Sequence, residues 1–184
     1  MRLRSRFPFH SGFTLVEVLV ALFVVGLGIA GAAGLQTLAV RAARDAARLA
    51  DGTRLASSLG ERMRANPVAA ARPDDANPYL QVDYDADSGV PATPVSCYAD
   101  TACDPDDLAR FDLFELSSAL AISFPGGRIL TCRDAASPDA TGLSAWACDG
   151  RTGAPVVVKI GWRAQGDTAT GAPKVMLALA GAAP

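Results

Sequence analysis

The chain has 184 residues, enough for one domain with an appendage, and a formal net charge of −2. Because no broad basic field is present, the composition does not indicate a nucleic-acid-binding protein. Half of the residues are hydrophobic but unevenly distributed: residues 18–40 carry no charge, whereas residues 72–112 are rich in Asp and Pro. This distribution predicts an apolar N-terminal helix followed by a soluble part with many loops.

The chain begins with a short flank, MRLRSRFPFHSG, that contains three arginines and no acidic residue. A basic flank before an apolar segment favours retention of the flank in the cytoplasm and export of the rest of the chain. A cleaved secretory signal, a membrane anchor and a leader cut before the apolar run all fit this pattern. Residues 30–32, AGA, resemble a signal peptidase site, but the uncharged run of residues 18–40 is long enough to span a bilayer.

Glu17 lies near the start of this apolar region. An ionisable group near the bilayer core costs roughly 2.5–3.5 kcal/mol even on the mildest scale. The carboxylate therefore needs either a compensating charge or a position at the solvated headgroup level.

The residues around it, GFTLVEVLVAL from Gly12 to Leu22, resemble the class III signal of type IV pilins and of type II secretion pseudopilins. The shared pattern is a basic leader, a Gly, an aromatic residue and a Glu four residues later, in front of a spanning helix. The resemblance implies that prepilin peptidase removes residues 1–12, cutting between Gly12 and Phe13, and methylates the new amine of Phe13. It also implies that Glu17 pairs with the Phe13 amine of a neighbouring subunit during filament assembly.

Helix-forming sequence continues beyond the apolar run and predicts one long helix over residues 13–66, with about 13–40 in the membrane. Leu55, Leu59 and Met63 fall on one helical face, as expected for an apolar stripe that packs on a globular head. Proline after Asn66 predicts the end of the helix. Four glycines in the apolar half fit close helix packing, local melting or simple tolerance: Gly26, Gly28, Gly31 and Gly34.

The predicted head, residues 67–184, opens on a stretch rich in Pro and Asp, residues 67–103, which predicts a long exposed loop. Within it, DYDADSG places Asp83, Asp85 and Asp87 in alternation, like the first ligands of a calcium loop. The positions of the required Gly and of the closing Glu hold Ser and Pro instead. A solvated loop is therefore the preferred interpretation.

Four cysteines follow: Cys97, Cys103, Cys132 and Cys148. An even number of cysteines in an exported chain predicts disulfides, and three connectivities are open. Local pairing, the first with the second and the third with the fourth, would hold two irregular loops. Zinc is the competing interpretation, but the chain has no C-x-x-C and its single histidine, His10, lies in the leader. The sequence thus predicts neither a metal nor a cofactor.

The remainder of the head contains signals for one helix and several strands. Asp104 is a good N-cap, followed by Pro and two acidic residues, so a short helix is predicted over about residues 105–121. A Pro-Gly-Gly break precedes a strand at Arg128–Arg133, alternation over residues 156–162 predicts a half-buried strand, and residues 174–180 form its hairpin partner. The predicted fold class is α+β, a long helix with a transmembrane half and an amphipathic half, packed on a small antiparallel sheet of three or four strands.

This part of the head narrows the resemblance to the PilV family of type IV pilus minor pilins and pilus modification proteins. Leu116 departs from the family pattern, in which a Trp is expected. The positions that carry the resemblance are Cys103, Pro105, Leu108, Ala109, Phe111, Asp112, Leu113, Pro125, Gly126, Gly127, Gly161 and Trp162.

The resemblance implies a structural, non-enzymatic protein that joins other minor pilins in a complex that primes type IV pilus assembly and sits at the pilus tip. Such complexes support twitching motility and adhesion. The implied partners are other minor pilins, the major pilin, prepilin peptidase, the inner-membrane assembly platform and a tip adhesin. The chain would cross the inner membrane once, with its N-terminus cytoplasmic and its head periplasmic, before entering the pilus at the cell surface.

Two further classes differ from this interpretation. A minor pseudopilin of a type II secretion system shares the N-terminus but would build a periplasmic piston. An anchored exported enzyme has little support, because the chain after the leader contains no histidine and no cofactor loop. No catalytic residue is predicted.

Overall fold

The computed structural model describes residues 12–89, 91–94, 96–98, 102–135, 145–164 and 166–179. Most of the predicted leader, including His10, lies outside these residues. The chain forms two compact units, Met1–Asp45 and Ala46–Pro184.

The described residues contain helices and strands in the order α, α, β, α, β, β, β. The helices are α1 (Leu15–Ala65), α2 (Pro67–Ala70) and α3 (Pro105–Ser123), and the strands are β1 (Asp83–Asp85), β2 (Arg128–Arg133), β3 (Val156–Gly161) and β4 (Val175–Ala178). Short 3-10 turns occupy Pro78–Leu80 and Ala86–Ser88.

The first unit consists of the start of α1, whose backbone is helical through all four glycines of the apolar run. Its large apolar side chains are exposed, with fractions between 81% at Phe13 and 45% at Val18. Within the described part of the chain, α1 is the helix that is long and apolar enough to cross a membrane. Exposed apolar surfaces of this extent are typical of membrane-contact or protein-contact sites.

In the second unit, about the last four turns of α1 bury one face in the head. The predicted stripe lies on that face: Leu59 and Met63 are buried and Leu55 is half-buried. Small residues separate these larger side chains. At Gly52 a Cβ atom would lie 3.1 Å from the ring of Trp162, so glycine allows the indole to approach the helix closely. The remaining buried residues of this face are Ala56 and Gly60.

The sheet is antiparallel, four-stranded and ordered β1-β2-β3-β4. Strands β2 and β3 form its centre and pair along their whole length, from Arg128 opposite Gly161 to Arg133 opposite Val156. The core lies between this sheet, α3 and the end of α1, and its most buried side chains include Leu59, Tyr79, Leu116, Leu120, Ile129, Val158 and Ile160. The predicted α+β class, with a helix packed on a small antiparallel sheet, is confirmed.

Two sequence-based expectations about the head are wrong. Residues 67–103 contain α2, β1 and two 3-10 turns rather than one irregular loop, because β1 pairs with a strand more than 40 residues later in the chain. Strand β3 is buried on both faces rather than half-buried. Its polar residue, Lys159, is 1% exposed, since residues 145–149 cover the second face.

Candidate assembly site

The predicted processing site lies just before the first turn of α1. Gly12, Phe13 and Thr14 precede the helix, and both the Thr14 hydroxyl and the Thr14 carbonyl oxygen accept the Glu17 backbone N–H, at 3.3 and 3.1 Å. Thr14 is therefore the N-cap and Glu17 the third helical residue. The local sequence Thr-x-x-Glu is the pattern of a capping box, in which the glutamate also reaches back towards the N-cap.

The capping role was missed by the sequence-based prediction, although the Thr-x-x-Glu spacing signals it. A glutamate in the first turn is also favoured by the positive end of the helix dipole. Glu17 thus has a local reason to occupy this position in addition to the predicted charge pair. Phe13 and Glu17 are both exposed and lie at the same end of the helix, whereas the cleavage, the methylation and the pairing themselves stay predictions.

The cysteines form the two local pairs. Cys97 bonds Cys103 with the Cα atoms 5.7 Å apart, and Cys132 bonds Cys148 with the Cα atoms 6.4 Å apart. The first bond holds the segment before α3, where Tyr98 packs edge-on against Phe111 with ring centroids 4.8 Å apart.

The second disulfide attaches residues 145–149, which we call the strap, to β2. Beneath the strap, the Lys159 ammonium group pairs with the Asp134 carboxylate at 2.5 Å and donates to the carbonyl oxygens of Ala145 and Ala147 at 2.8 Å. Both charged side chains are 1% exposed. This arrangement provides several acceptors for the buried ammonium group, as a buried charge requires.

The strap also carries Trp146, whose ring lies over Gly161. A Cβ at Gly161 would come within 2.8 Å of the indole, so the residue before Trp162 has to be glycine for this packing. The Arg128 guanidinium lies 4.6 Å from the centre of the same ring, and the indole N–H donates to the Gly171 carbonyl oxygen. The glycine of the Gly-Trp pair therefore has a structural role.

A polar cluster joins the end of α1 to α3, and we call it the junction network. Asp112 of α3 accepts hydrogen bonds from Arg62 at 2.6 Å and from the Tyr79 hydroxyl at 2.8 Å. Asn66 donates to the Pro105 carbonyl oxygen and to Tyr79. Burial, together with the bond to Asp112, raises the pKa of Tyr79 above its ordinary value. Asp112, one of the positions that carry the family resemblance, thus links α3 to the end of α1.

The aspartates of the calcium-like loop are used differently from metal ligands. Asp83 pairs with Arg128 at 3.0 Å, Asp87 pairs with Arg163 at 2.8 Å, and Asp85 accepts the Asp87 backbone N–H. Within the described ranges, no three His, Cys, Asp or Glu residues are placed to hold a metal ion together. The loop is instead the edge of the sheet, fixed by two arginines.

Two family models match the sequence. Residues 9–33 match the prokaryotic N-terminal methylation motif, and residues 34–114 match the family described as type IV pilin Tt1218. No curated protein and no solved structure matches the chain. The chain therefore carries a type IV pilin region directly behind an N-terminal methylation motif. The narrower resemblance to the PilV family stays a prediction.

Proposed function

We propose that this chain, with its type IV pilin region behind a methylation motif, is a minor pilin of the PilV family. In this role it joins other minor pilins in a complex that primes type IV pilus assembly and sits at the pilus tip. The complex supports twitching motility and adhesion. The protein itself is structural and catalyses no reaction.

The observation that carries this proposal is the order of features along α1. The methylation motif covers the capped first turn with Glu17, the next turns expose apolar side chains, and the last turns are buried in the head. One helix thus offers a surface for lipid or like helices and a second surface for its own head. A subunit that is stored in a bilayer and then moves into a filament needs both surfaces.

The proposed assembly chemistry is a change of charge at the helix start. Prepilin peptidase would remove residues 1–12, and the new amine of Phe13 would carry a positive charge and a methyl group. In a low-dielectric surrounding, a carboxylate paired with this amine costs far less than an isolated one. Glu17 would therefore favour the filament, where a neighbour supplies the amine.

The proposed partners are those that the same role requires. They are other minor pilins, the major pilin, prepilin peptidase, the inner-membrane assembly platform and a tip adhesin. The chain would be held in the inner membrane with its N-terminus cytoplasmic and its head periplasmic, and would later reach the cell surface in the pilus. The exposed apolar part of α1 supports the membrane-anchored state.

Deletion of the gene tests the proposal. We expect few or no surface pili and reduced twitching, both restored by the wild-type gene, with exoprotein release unchanged. The alternative function is that of a minor pseudopilin in a type II secretion system, which the shared N-terminal motif favours equally. Normal piliation with impaired exoprotein release would select that alternative and reject the pilus role.

A further inference from the structure

Arg41 and Arg44 are the first charged residues after the apolar run of α1. Both are exposed, and both belong to the first unit. The next residue, Asp45, is also exposed and lies four positions after Arg41, yet no ion pair among the described residues includes any of the three. The two guanidinium groups are therefore available to an external anion.

Their distance from the start of the apolar run matches the thickness of a membrane. At about 1.5 Å per residue, residues 18–40 extend for about 35 Å as a helix. The hydrocarbon core of a bilayer is about 30 Å thick. When this run spans the membrane, Arg41 lies at the level of the lipid phosphates, and Arg44 lies about 4.5 Å further along the helix.

We propose that Arg41 and Arg44 bind the phosphate groups of anionic phospholipids in the leaflet on the head side and thereby fix the depth of α1. The inference rests on the membrane-anchored state of the proposed function. A guanidinium group suits this partner, because it is always charged and binds phosphate oxygens through two parallel hydrogen bonds. The flexible stem of the side chain adjusts the height of the charge.

Lipid is favoured over a protein partner by the position of the two arginines. Basic residues on the exported side of a span oppose correct insertion, since Lys and Arg are preferred on the cytoplasmic side. Arginines placed directly at that boundary are therefore expected to serve a contact at the boundary itself. Each basic residue near an anionic surface increases association by about fivefold.

The test measures lipid selectivity of the full chain, purified from membranes and reconstituted in phosphatidylcholine vesicles. Trace spin-labelled phosphatidylglycerol or phosphatidylcholine reports, by electron paramagnetic resonance, which lipid contacts the protein. We expect the wild type to prefer phosphatidylglycerol about fivefold or more at low salt. The preference should shrink at 1 M salt, where charges are screened within about 3 Å. The double variant Arg41→Gln/Arg44→Gln should lose most of it.

The matched control is Arg54→Gln/Arg110→Gln, which removes two exposed arginines of the second unit and changes the net charge equally. It should keep the wild-type selectivity. Equal affinity of the wild type for both lipids, or unchanged selectivity in the Arg41/Arg44 variant, overturns the inference. Poor recovery of that variant in sheared pili with unchanged lipid selectivity would also overturn it, since the arginines would then contact another subunit. A wild-type chain absent from pili but selective for phosphatidylglycerol contradicts only the proposed function.

Discussion

At the scale of single residues, Glu17 has two separable roles. Its backbone N–H is capped by Thr14, and its position as third helical residue suits the helix dipole, both of which act in an isolated chain. The proposed pairing with a neighbour's amine acts only in an assembly. Gln can occupy the same capping position without a charge, so it distinguishes the two roles.

We predict that Glu17→Ala inserts into the membrane normally but is recovered in sheared pili at a small fraction of the wild-type level. Glu17→Gln should be recovered as poorly, because it lacks the charge, although its side chain is one that a capping box accepts. Recovery is measured by immunoblot of sheared filaments against the membrane fraction. Wild-type recovery of the Ala variant would show that the charge pair is dispensable, and recovery of the Gln variant alone would assign the effect to a polar side chain at this position rather than to its charge.

Asp104 is the second residue whose role is local. Its carboxylate accepts the backbone N–H groups of Asp106 and Asp107 at 2.9 Å and starts α3. The bond from Asp107 contributes most to lowering the pKa of Asp104, and it outweighs the opposing effect of desolvation. Because the folded-state pKa lies below the unfolded value of about 3.9, the cap stabilises the head above that pH. This stabilisation is lost as the pH falls through the folded-state pKa.

We therefore predict that the stability of the Asp104→Asn variant decreases less at acidic pH than the stability of the wild type does. Asn caps a helix as well as Asp does but does not titrate. The urea midpoint of the full chain in detergent should fall less between pH 7 and pH 3 for Asp104→Asn, whereas Asp104→Ala should be lower already at pH 7. Some acid sensitivity should remain, since backbone hydrogen bonds also lower the pKa of Asp149. An identical acid loss in the Asn variant and the wild type would contradict this role of Asp104.

At the scale of elements, strand β3 depends on the strap that covers it. Lys159 and Asp134 are both buried, and replacing Lys159 by an apolar residue removes the cation that pairs with the buried Asp134 carboxylate. Such a loss costs about 3–5 kcal/mol, whereas replacing both partners by apolar residues is often neutral. The disulfide between Cys132 and Cys148 holds the strap in place over this pair.

We predict that Lys159→Met strongly destabilises the head, by about 3–5 kcal/mol. The double variant Lys159→Met/Asp134→Leu should recover much of that loss, and the coupling between the two sites is obtained from a double-mutant cycle. Urea unfolding followed by tryptophan fluorescence suits the measurement. Trp146 lies against Gly161 of β3, and Trp162 lies against Gly52 of α1. Additive losses in the double variant would indicate that the ion pair contributes little.

The same elements show what the sequence can predict. Helix α3 has a strong local signal in its Asp-Pro start, and it runs over Pro105–Ser123, close to the predicted 105–121. Strand β1 has only three residues and forms by pairing with β2, so no local sequence pattern predicts it. Lys159 is buried because the strap, held by the disulfide between Cys132 and Cys148, covers it. The alternating pattern along β3, taken alone, predicts that Lys159 is exposed.

The assembly site shows a comparable limit. Thr14 and Glu17 are local in sequence, and their spacing carries enough information for a capping box. The amine that Glu17 is proposed to meet would belong to a second molecule and would form only after the predicted cleavage. The structure of one uncleaved chain therefore contains neither the amine nor the neighbour. A sequence motif is therefore the source of that prediction, and the structure adds the cap.

At the scale of the whole molecule, one helix belongs to two units with different surroundings. The methylation motif ends at residue 33 and the pilin region begins at residue 34, both within α1. A cut near residues 30–32, as in a secretory signal, would remove most of the exposed apolar part and release the head. A cut after Gly12 would retain it, so the site of processing decides whether the mature protein can be anchored at all.

We predict that the intact mass of the mature protein corresponds to loss of residues 1–12 and gain of one methyl group. The reason is that the leader must leave before Phe13 has an amine to methylate, while the apolar helix stays attached. Mass spectrometry of the membrane-extracted protein measures both changes at once, and the same strain without prepilin peptidase should yield the full-length chain. A mass that corresponds to a mature chain beginning near residue 33 would instead identify a secretory signal. The head would then be free of the membrane and of the filament core.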